Sequence, residues 1–293
     1  MCAASLNYDS PLALKAFLDG RGLGMRKKLG QNFLIKGGIR KKLAAALELS
    51  PGDGVWEIGP GLGAMTGELL ERGARVKAFE LDPGFVEFLR EEFGGRPGFS
   101  LVPGDVLKTW KGEAGAPFLL GNLPYNIAAV LLGDLAEGKR LFRRMVVTVQ
   151  KELGRRLTAR PGQADYSSFT VLVAGLYTVK ALVTMGPSCF YPPPRVDSAG
   201  LRLDLREDAA GEAAPPGLLH PMVRRLFSSR RKTVKNSLGA FVSSCSGTER
   251  GAKELAMAAL EHCGIRPDER PENLDIPQFR ELALRLQHLG VGG

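Results

Sequence analysis

The chain of 293 residues, 44% of them apolar, is long enough to bury a full core and to divide into one large domain and a smaller one. Its 40 Lys and Arg against 31 Asp and Glu leave a formal charge of +9, a balance that suits a polyanionic partner such as nucleic acid. Four scattered cysteines without C-x-x-C spacing and three scattered histidines make neither a zinc site nor a disulfide framework legible, so no metal is expected.

Residues 1–25 carry Asp9 and Asp19 and show neither a basic-then-apolar signal pattern nor a small-residue cleavage site. The expected setting is therefore the reducing cytoplasm, and the segment is read as an N-terminal extension with a packing or tethering role. From about residue 38 the chain alternates between helix and strand patterns. Ile39 to Leu49 is helical and stops at Ser50-Pro51-Gly52; Val55 to Gly59 is a short apolar strand; Met65 to Arg72 is a helix closed by Gly73. Arg75 to Leu81 reads as a strand, and Pro83 to Phe93 as a helix with proline at its first position. Further strands fit Phe99 to Val102, Phe118 to Asn122 and Met145 to Val149, with a helix from Ile127 to Leu135. This alternation predicts an α/β domain over 26–205 with a mostly parallel sheet and helices on both faces. The longest apolar stretch, Phe169 to Val179, is too short to span a bilayer, so no membrane partner is expected. Residues 206–217 carry adjacent prolines and no apolar period, which marks a linker, and the helical patterns after it predict a small all-helical C-terminal domain over 218–293.

The stretch V-W-E-I-G-P-G-L-G-A-M-T places Gly59, Gly61 and Gly63 where a strand gives way to a helix. Glycine lets the backbone bend tightly there and lets a ligand approach with no Cβ in the way. The signal is weak alone and suits NAD as well. Glu80 closes the next strand, where a carboxylate can accept ribose hydroxyls, and Asp105 closes the one after, where it can accept from an adenine amino group. Together they fit an adenosyl ligand across the carboxyl edge of the sheet. Glu57 favours S-adenosylmethionine over NAD, because a carboxylate can help hold a cationic methionine end but would repel a pyrophosphate.

The fourth strand ends in Asn122-Leu123-Pro124-Tyr125. The N6 amine of adenine is a poor nucleophile because its lone pair is delocalised into the ring. Two acceptors for its hydrogens would draw the nitrogen toward tetrahedral geometry: the Asn122 side-chain oxygen, and the Leu123 carbonyl, which Pro124 keeps out of a regular ladder. Tyr125 offers a ring on which the purine can stack.

The stretches K-K-L-G-Q-N-F-L (27–34), E-I-G-P-G-L-G (57–63), F-E-L-D (79–82), G-D-V (104–106), N-L-P-Y-N (122–126), F-Y-P-P-P-R-V-D-S-A (190–199) and R-R-K-T-V-K-N-S-L (230–238) follow one another in a familiar order. With them the chain resembles, over nearly its whole length, the KsgA family of small-subunit ribosomal RNA adenine dimethyltransferases. The resemblance implies a Rossmann-like class I S-adenosylmethionine-dependent methyltransferase domain followed by a helical domain. It implies dimethylation of N6 of two adjacent adenosines in the loop of the 3′-terminal hairpin of 16S rRNA, on late pre-30S particles. It further implies that Asn32 and Leu34 close over the cofactor and that Gly59 contacts its methionine part. By the same resemblance Glu80 with Leu81 meets the ribose, Asp105 with Val106 the adenine, and Phe190 is a second stacking face opposite Tyr125. Arg195 stands where the family often has lysine, a change that keeps the charge.

Gly20 to Leu47 and Ala213 to Thr248 contain Lys and Arg but no acid. Single-sign stretches of this length favour phosphate contact over a solvated face, which singles out Arg26, Lys27 and Lys28 in the first and Arg224, Arg225, Arg230, Arg231, Lys232 and Lys235 in the second. Arg143, Arg144, Arg155 and Arg156 are expected to extend that surface. A monomer is expected. The alternatives are an Erm-type 23S rRNA adenine methyltransferase, which would resemble the N-terminal half, an assembly factor that mainly binds immature 30S particles, and an NAD oxidoreductase.

Overall fold

The computed structural model describes residues 6–25, 30–138, 140–207, 216–229, 231–246 and 251–292. Arg26, Lys27, Lys28 and Arg230, four of the residues expected to meet RNA, lie outside them. The chain divides into two compact units, Met1–Gly154 with Val179–Leu205, and Arg155–Thr178 with Arg206–Gly293.

The first unit opens with α1 (Pro11–Gly20), β1 (Phe33–Leu34) and α2 (Gly37–Ala45), and continues as β2 (Gly54–Ile58), α3 (Ala64–Glu71), β3 (Arg75–Glu80) and α4 (Pro83–Phe93). Next come β4 (Phe99–Pro103), the single turn α5 (Val106–Thr109), β5 (Phe118–Asn122), α6 (Ala128–Glu137), β6 (Arg144–Gln150) and α7 (Lys151–Thr158). After α8 (Ser168–Ala174) the sheet is completed by β7 (Tyr177–Met185) and β9 (Ser198–Leu205), while the two-residue β8 (Phe190–Tyr191) pairs antiparallel with β1. The order in the seven-stranded sheet is β4-β3-β2-β5-β6-β9-β7. The pairs among β4, β3, β2, β5 and β6 are parallel, and β9 runs antiparallel to β6. The sheet is therefore mostly parallel, as the strand-helix alternation predicts.

Buried parallel strands need apolar side chains on both faces, which is why β5 and β6 read as near-continuous apolar runs. Val55, Val76, Phe118, Leu120 and Val146 from four neighbouring strands meet in one core cluster. Helix starts follow the local chemistry: Asp82 and Asp105 each cap the helix that follows, accepting from the Gly84 N–H at 2.9 Å and the Leu107 N–H at 3.0 Å. Between β2 and β5 the strand order reverses direction, and ligands of such sheets bind outside the carboxyl ends of the strands at that switch point.

The second unit holds α8, α9 (Pro216–Phe227), α10 (Val234–Ser246), α11 (Ala252–His262) and α12 (Ile276–His288). Its core joins Val171 and Tyr166 to Met222, Leu238, Leu260 and Phe279, and the Tyr166 hydroxyl donates to the Leu274 carbonyl at 2.9 Å. The helical unit thus takes in residues 155–178 and reaches further back along the chain than residue 218. The apolar run Phe169 to Val179 hid this, because it fuses the end of α8 with the start of β7 across Gly175.

Candidate active site

At the carboxyl edge of β2, β3 and β5 lies a cavity of about 270 Å³. Register explains how its parts meet: Ile58 pairs with Gly121 and Glu80 with Pro103, so the turns after β2, β3, β4 and β5 open side by side. Gly59 and Gly61 line it with φ of 68° and 58°. A Cβ on Gly61 would sit 2.8 Å from the Phe33 ring, which shows how closely β1 covers the turn.

Glu80 ties this turn to the sheet. Its Oε2 accepts from the Gly61 N–H at 3.0 Å and its Oε1 from the Asp82 N–H at 2.8 Å. Burial pushes its carboxyl above the usual range while these backbone donors oppose that shift. A carboxylate has acceptor capacity beyond two hydrogen bonds, so Glu80 can hold the turn and still accept hydroxyls from the cavity it lines. Asp105 also lines the cavity, with Oδ1 used at the α5 cap. Leu81 and Val106 flank these acids on the wall.

Glu57 is 2% exposed, and its Oε2 accepts the Thr66 hydroxyl of α3 at 2.6 Å. Burial pushes its carboxyl up to about 8, with the Thr66 hydrogen bond opposing and the nearby Glu80 adding to the rise. At the opposite lip Asn122 Nδ2 donates to the Asn32 carbonyl at 2.8 Å, and Asn32 Nδ2 donates to the Gly30 carbonyl at 3.0 Å. The strand end of β5 is thereby tied to the segment before β1. With its amino group committed, Asn122 keeps its Oδ1, an acceptor, as the remaining polar atom of the side chain.

Asn32, Leu34, Asn122 and Pro124 all line the cavity together with the acids and glycines above. Leu123 and Tyr125 do not. The Leu123 side chain is buried and its N–H donates to the Thr148 carbonyl at 3.1 Å, while its carbonyl accepts no backbone hydrogen bond among the described residues. Tyr125 is half-buried, and its hydroxyl lies 2.6 Å from Oγ of the fully buried Ser198 at the start of β9.

Three expectations are corrected. Phe190 is 2% exposed and packs in the core with Leu34, Leu43 and Met185, so it presents no face to a base; β8 pairing with β1 turns it inward. Arg144 is not a surface cation, because its guanidinium is held by Asp204, Glu48 and the Leu47 carbonyl. Arg40, counted in the first basic stretch, is 7% exposed and lines the cavity. Arg224, Arg225, Arg231, Lys232 and Lys235 are exposed on the helical unit. Tyr8 and Arg40 were missed as site residues: they reach the cavity through contacts distant in sequence, which no local motif signals.

The residues fit an adenosyl sulfonium. A turn closed to any side chain admits a ligand backbone-close, two acids at successive strand ends accept hydroxyl and amine hydrogens, and a third acid suits an ammonium. Solved structures agree. A dimethyladenosine transferase from Plasmodium falciparum superposes with a TM-score of 0.78 at 26% identity, covering 87% of this chain and 98% of the other. The 23S rRNA methyltransferase ErmE gives 0.64 at 28% identity, covering 87% of this chain and 99% of the other. Fold and site define a class I S-adenosylmethionine-dependent methyltransferase.

Residues 22–262 match the family described as ribosomal RNA adenine dimethylase. The chain is 42% identical over 289 residues to the ribosomal RNA small subunit methyltransferase A of Treponema denticola, covering 97% of each. It is 36% identical over 287 residues to the protein of the same name from Borrelia garinii, covering 98% of this chain and 97% of the relative. The chain belongs to the ribosomal RNA adenine dimethylase family.

Proposed function

We propose that this enzyme dimethylates N6 of two adjacent adenosines in the loop of the 3′-terminal hairpin of 16S rRNA, acting as a monomer in the cytoplasm on late pre-30S particles. The observation that carries the reading is the committed Asn122 amide: with Nδ2 given to the Asn32 carbonyl, Oδ1 is left as an acceptor at the mouth of a cavity built for an adenosyl ligand.

When bound, S-adenosylmethionine supplies an electrophilic methyl group on a sulfonium. Glu80 with Leu81 holds its ribose, Asp105 with Val106 its adenine, and Glu57, Gly59 and Gly61 its methionine side, with Asn32 and Leu34 closing over it. Asn122 Oδ1 and the Leu123 carbonyl accept the two N6 hydrogens of the target adenosine and turn the nitrogen lone pair toward the cavity. Pro124 keeps that carbonyl out of the sheet ladder. Tyr125, its hydroxyl anchored on Ser198, lends its ring to the purine, a contact worth roughly 1–3 kcal/mol. The nitrogen that acquires a methyl group becomes cationic and gives its proton to water, so no side-chain base is required. Arg224, Arg225, Arg231, Lys232 and Lys235 meet RNA phosphates, positioning the particle without reading its sequence; Arg26, Lys27, Lys28 and Arg230 belong to the same proposal from sequence alone.

The relatives named for the small subunit, at 36–42% identity, support 16S over 23S rRNA as the substrate, since the 23S enzyme is 28% identical. The test presents the enzyme with 30S particles and with protein-free 23S rRNA, both from unmethylated cells, and reads the products by mass spectrometry. Dimethyladenosine in the 3′-terminal fragment of 16S rRNA is expected. Methylation confined to 23S rRNA overturns the substrate assignment.

A further inference from the structure

The N-terminal extension builds one end of the cavity. Tyr8 donates its hydroxyl to the Leu62 carbonyl, inside the glycine turn, at 2.8 Å. Burial pushes that phenol up to about 12, so it remains a donor at neutral pH. Next to it, Asp9 Oδ1 accepts from Arg40 Nη2 at 2.8 Å, and Arg40 Nη1 donates to the Leu34 carbonyl at 2.8 Å. The Arg40 guanidinium lies 5.8 Å from the centroid of the Tyr8 ring. Tyr8, Arg40 and Glu57 share the cavity wall.

Arg40 is the sole basic residue among the described residues that line the cavity, set against Glu57, Glu80 and Asp105. An arginine cannot shed its proton, and at 7% exposure its charge is costly unless an anion meets it. Asp9 is 59% exposed, so water screens most of what it offers. The Arg40 Nε has no hydrogen-bond partner among the described residues. One buried cation with a donor left over, on a wall otherwise acidic, is matched to a ligand that is cationic except for a single anionic group. The carboxylate is that group in S-adenosylmethionine.

Resting on the cofactor reading above, we infer that Arg40, braced by Asp9 and Tyr8, receives the α-carboxylate of the methionine moiety and makes the site selective for adenosyl ligands that carry an intact amino acid. Glu57 and Arg40 then read the two ends of one zwitterion, and the extension is part of the cofactor site.

The test is calorimetric titration of the full chain with S-adenosylhomocysteine, with S-adenosyl-3-thiopropylamine, which lacks only the carboxylate, and with methylthioadenosine. The wild type should prefer the first over the second by roughly 10- to 100-fold, the scale of a charge-assisted hydrogen bond. Arg40→Met should lose that preference by weakening S-adenosylhomocysteine alone, and Arg40→Lys should keep part of it. Equal weakening of both ligands by Arg40→Met, or an unchanged ratio, makes Arg40 a structural residue and overturns the inference. Asp9→Asn keeps the arginine and removes its competing anion, so the ratio should rise; a ratio that falls toward one also overturns it. Wild-type protein that binds S-adenosylhomocysteine and the thiopropylamine equally overturns the Arg40 assignment alone. Wild-type protein that binds none of the three overturns the cofactor reading beneath it.

Discussion

The two halves of the site are built on different principles. The cofactor wall is braced in advance: Glu80 already accepts the Gly61 and Asp82 N–H groups, Glu57 the Thr66 hydroxyl, and Gly61 is packed under Phe33, with spare acceptor capacity on the carboxylates and the Arg40 Nε left for the ligand. In the Asn122-to-Tyr125 loop, among the described residues, the Asn122 amide oxygen accepts no hydrogen bond and the Leu123 carbonyl, beside a proline, accepts none from the backbone. A wall braced before the ligand arrives fixes position at little cost in rearrangement, whereas on the proposed reading the open acceptors of the loop are committed only when a substrate amine meets them. Damage to the first should therefore appear in binding, and damage to the second in rate.

Asn122→Ala should sharpen the contrast most. It removes an acceptor at the reacting nitrogen and should cut turnover on the order of 10²–10³-fold with little change in cofactor affinity. Single-turnover methylation of 30S particles, with calorimetry of S-adenosylhomocysteine beside it, reads both quantities. Unchanged turnover removes Asn122 from the chemistry. Glu80→Ala should do the reverse, weakening the cofactor by about 10- to 100-fold, the scale of hydrogen bonds to a charged group at roughly 1.5–3 kcal/mol. Because Glu80 also staples the glycine turn, its loss should lower the melting temperature too. A defect in turnover at saturating cofactor, with binding intact, contradicts the ribose role.

The same asymmetry decides what the sequence made legible. Glycines at a strand end, acids two strands in a row and the Asn-Leu-Pro-Tyr break are local, and although the glycine turn alone also suits NAD, together they converge on one adenosyl ligand. The centre of the sheet was legible for the same reason: β2, β5 and β6 are largely buried and, Glu57 aside, declare themselves as mostly apolar runs. Tyr8 was not legible, because its partner Leu62 lies 54 residues away and nothing in N-Y-D-S announces a turn elsewhere. Arg40 looked like one more cation in a basic stretch, and only burial sets it apart. Phe190 failed in the opposite sense: the motif around it points to a base, but pairing of β8 with β1 turns its ring into the core.

The exposed cations of the helical unit extend the comparison to residues that do not line the cavity. Lys232→Ala or Lys235→Ala should each weaken particle binding a few-fold and reduce the slope of log affinity against log salt by about 0.7–0.9, the loss of one phosphate contact. Turnover at saturating particle should not move. A slope that stays at the wild-type value places that lysine away from RNA.

A last variant tests the cofactor wall from within. Glu57 has its folded-state carboxyl pushed up to about 8, against 4.5 without burial. The folded protein therefore holds this proton more tightly than the unfolded chain. The stability tied to it is fully present below the unfolded value, drains as pH climbs, and stops draining once pH passes the folded value. Glutamine cannot ionise, yet its Oε1 can still accept the Thr66 hydroxyl. Glu57→Gln should then melt with the wild type near about pH 4 and above it near about pH 9, by roughly 2–4 °C per kcal/mol recovered. A gap that stays constant across that range means the carboxyl is ionised throughout. Ligands that bring an ammonium to Glu57 should favour its ionised form, so saturating S-adenosylhomocysteine should stabilise the wild type more than Glu57→Gln at the alkaline end. Methylthioadenosine, which has no ammonium, should not separate the two proteins.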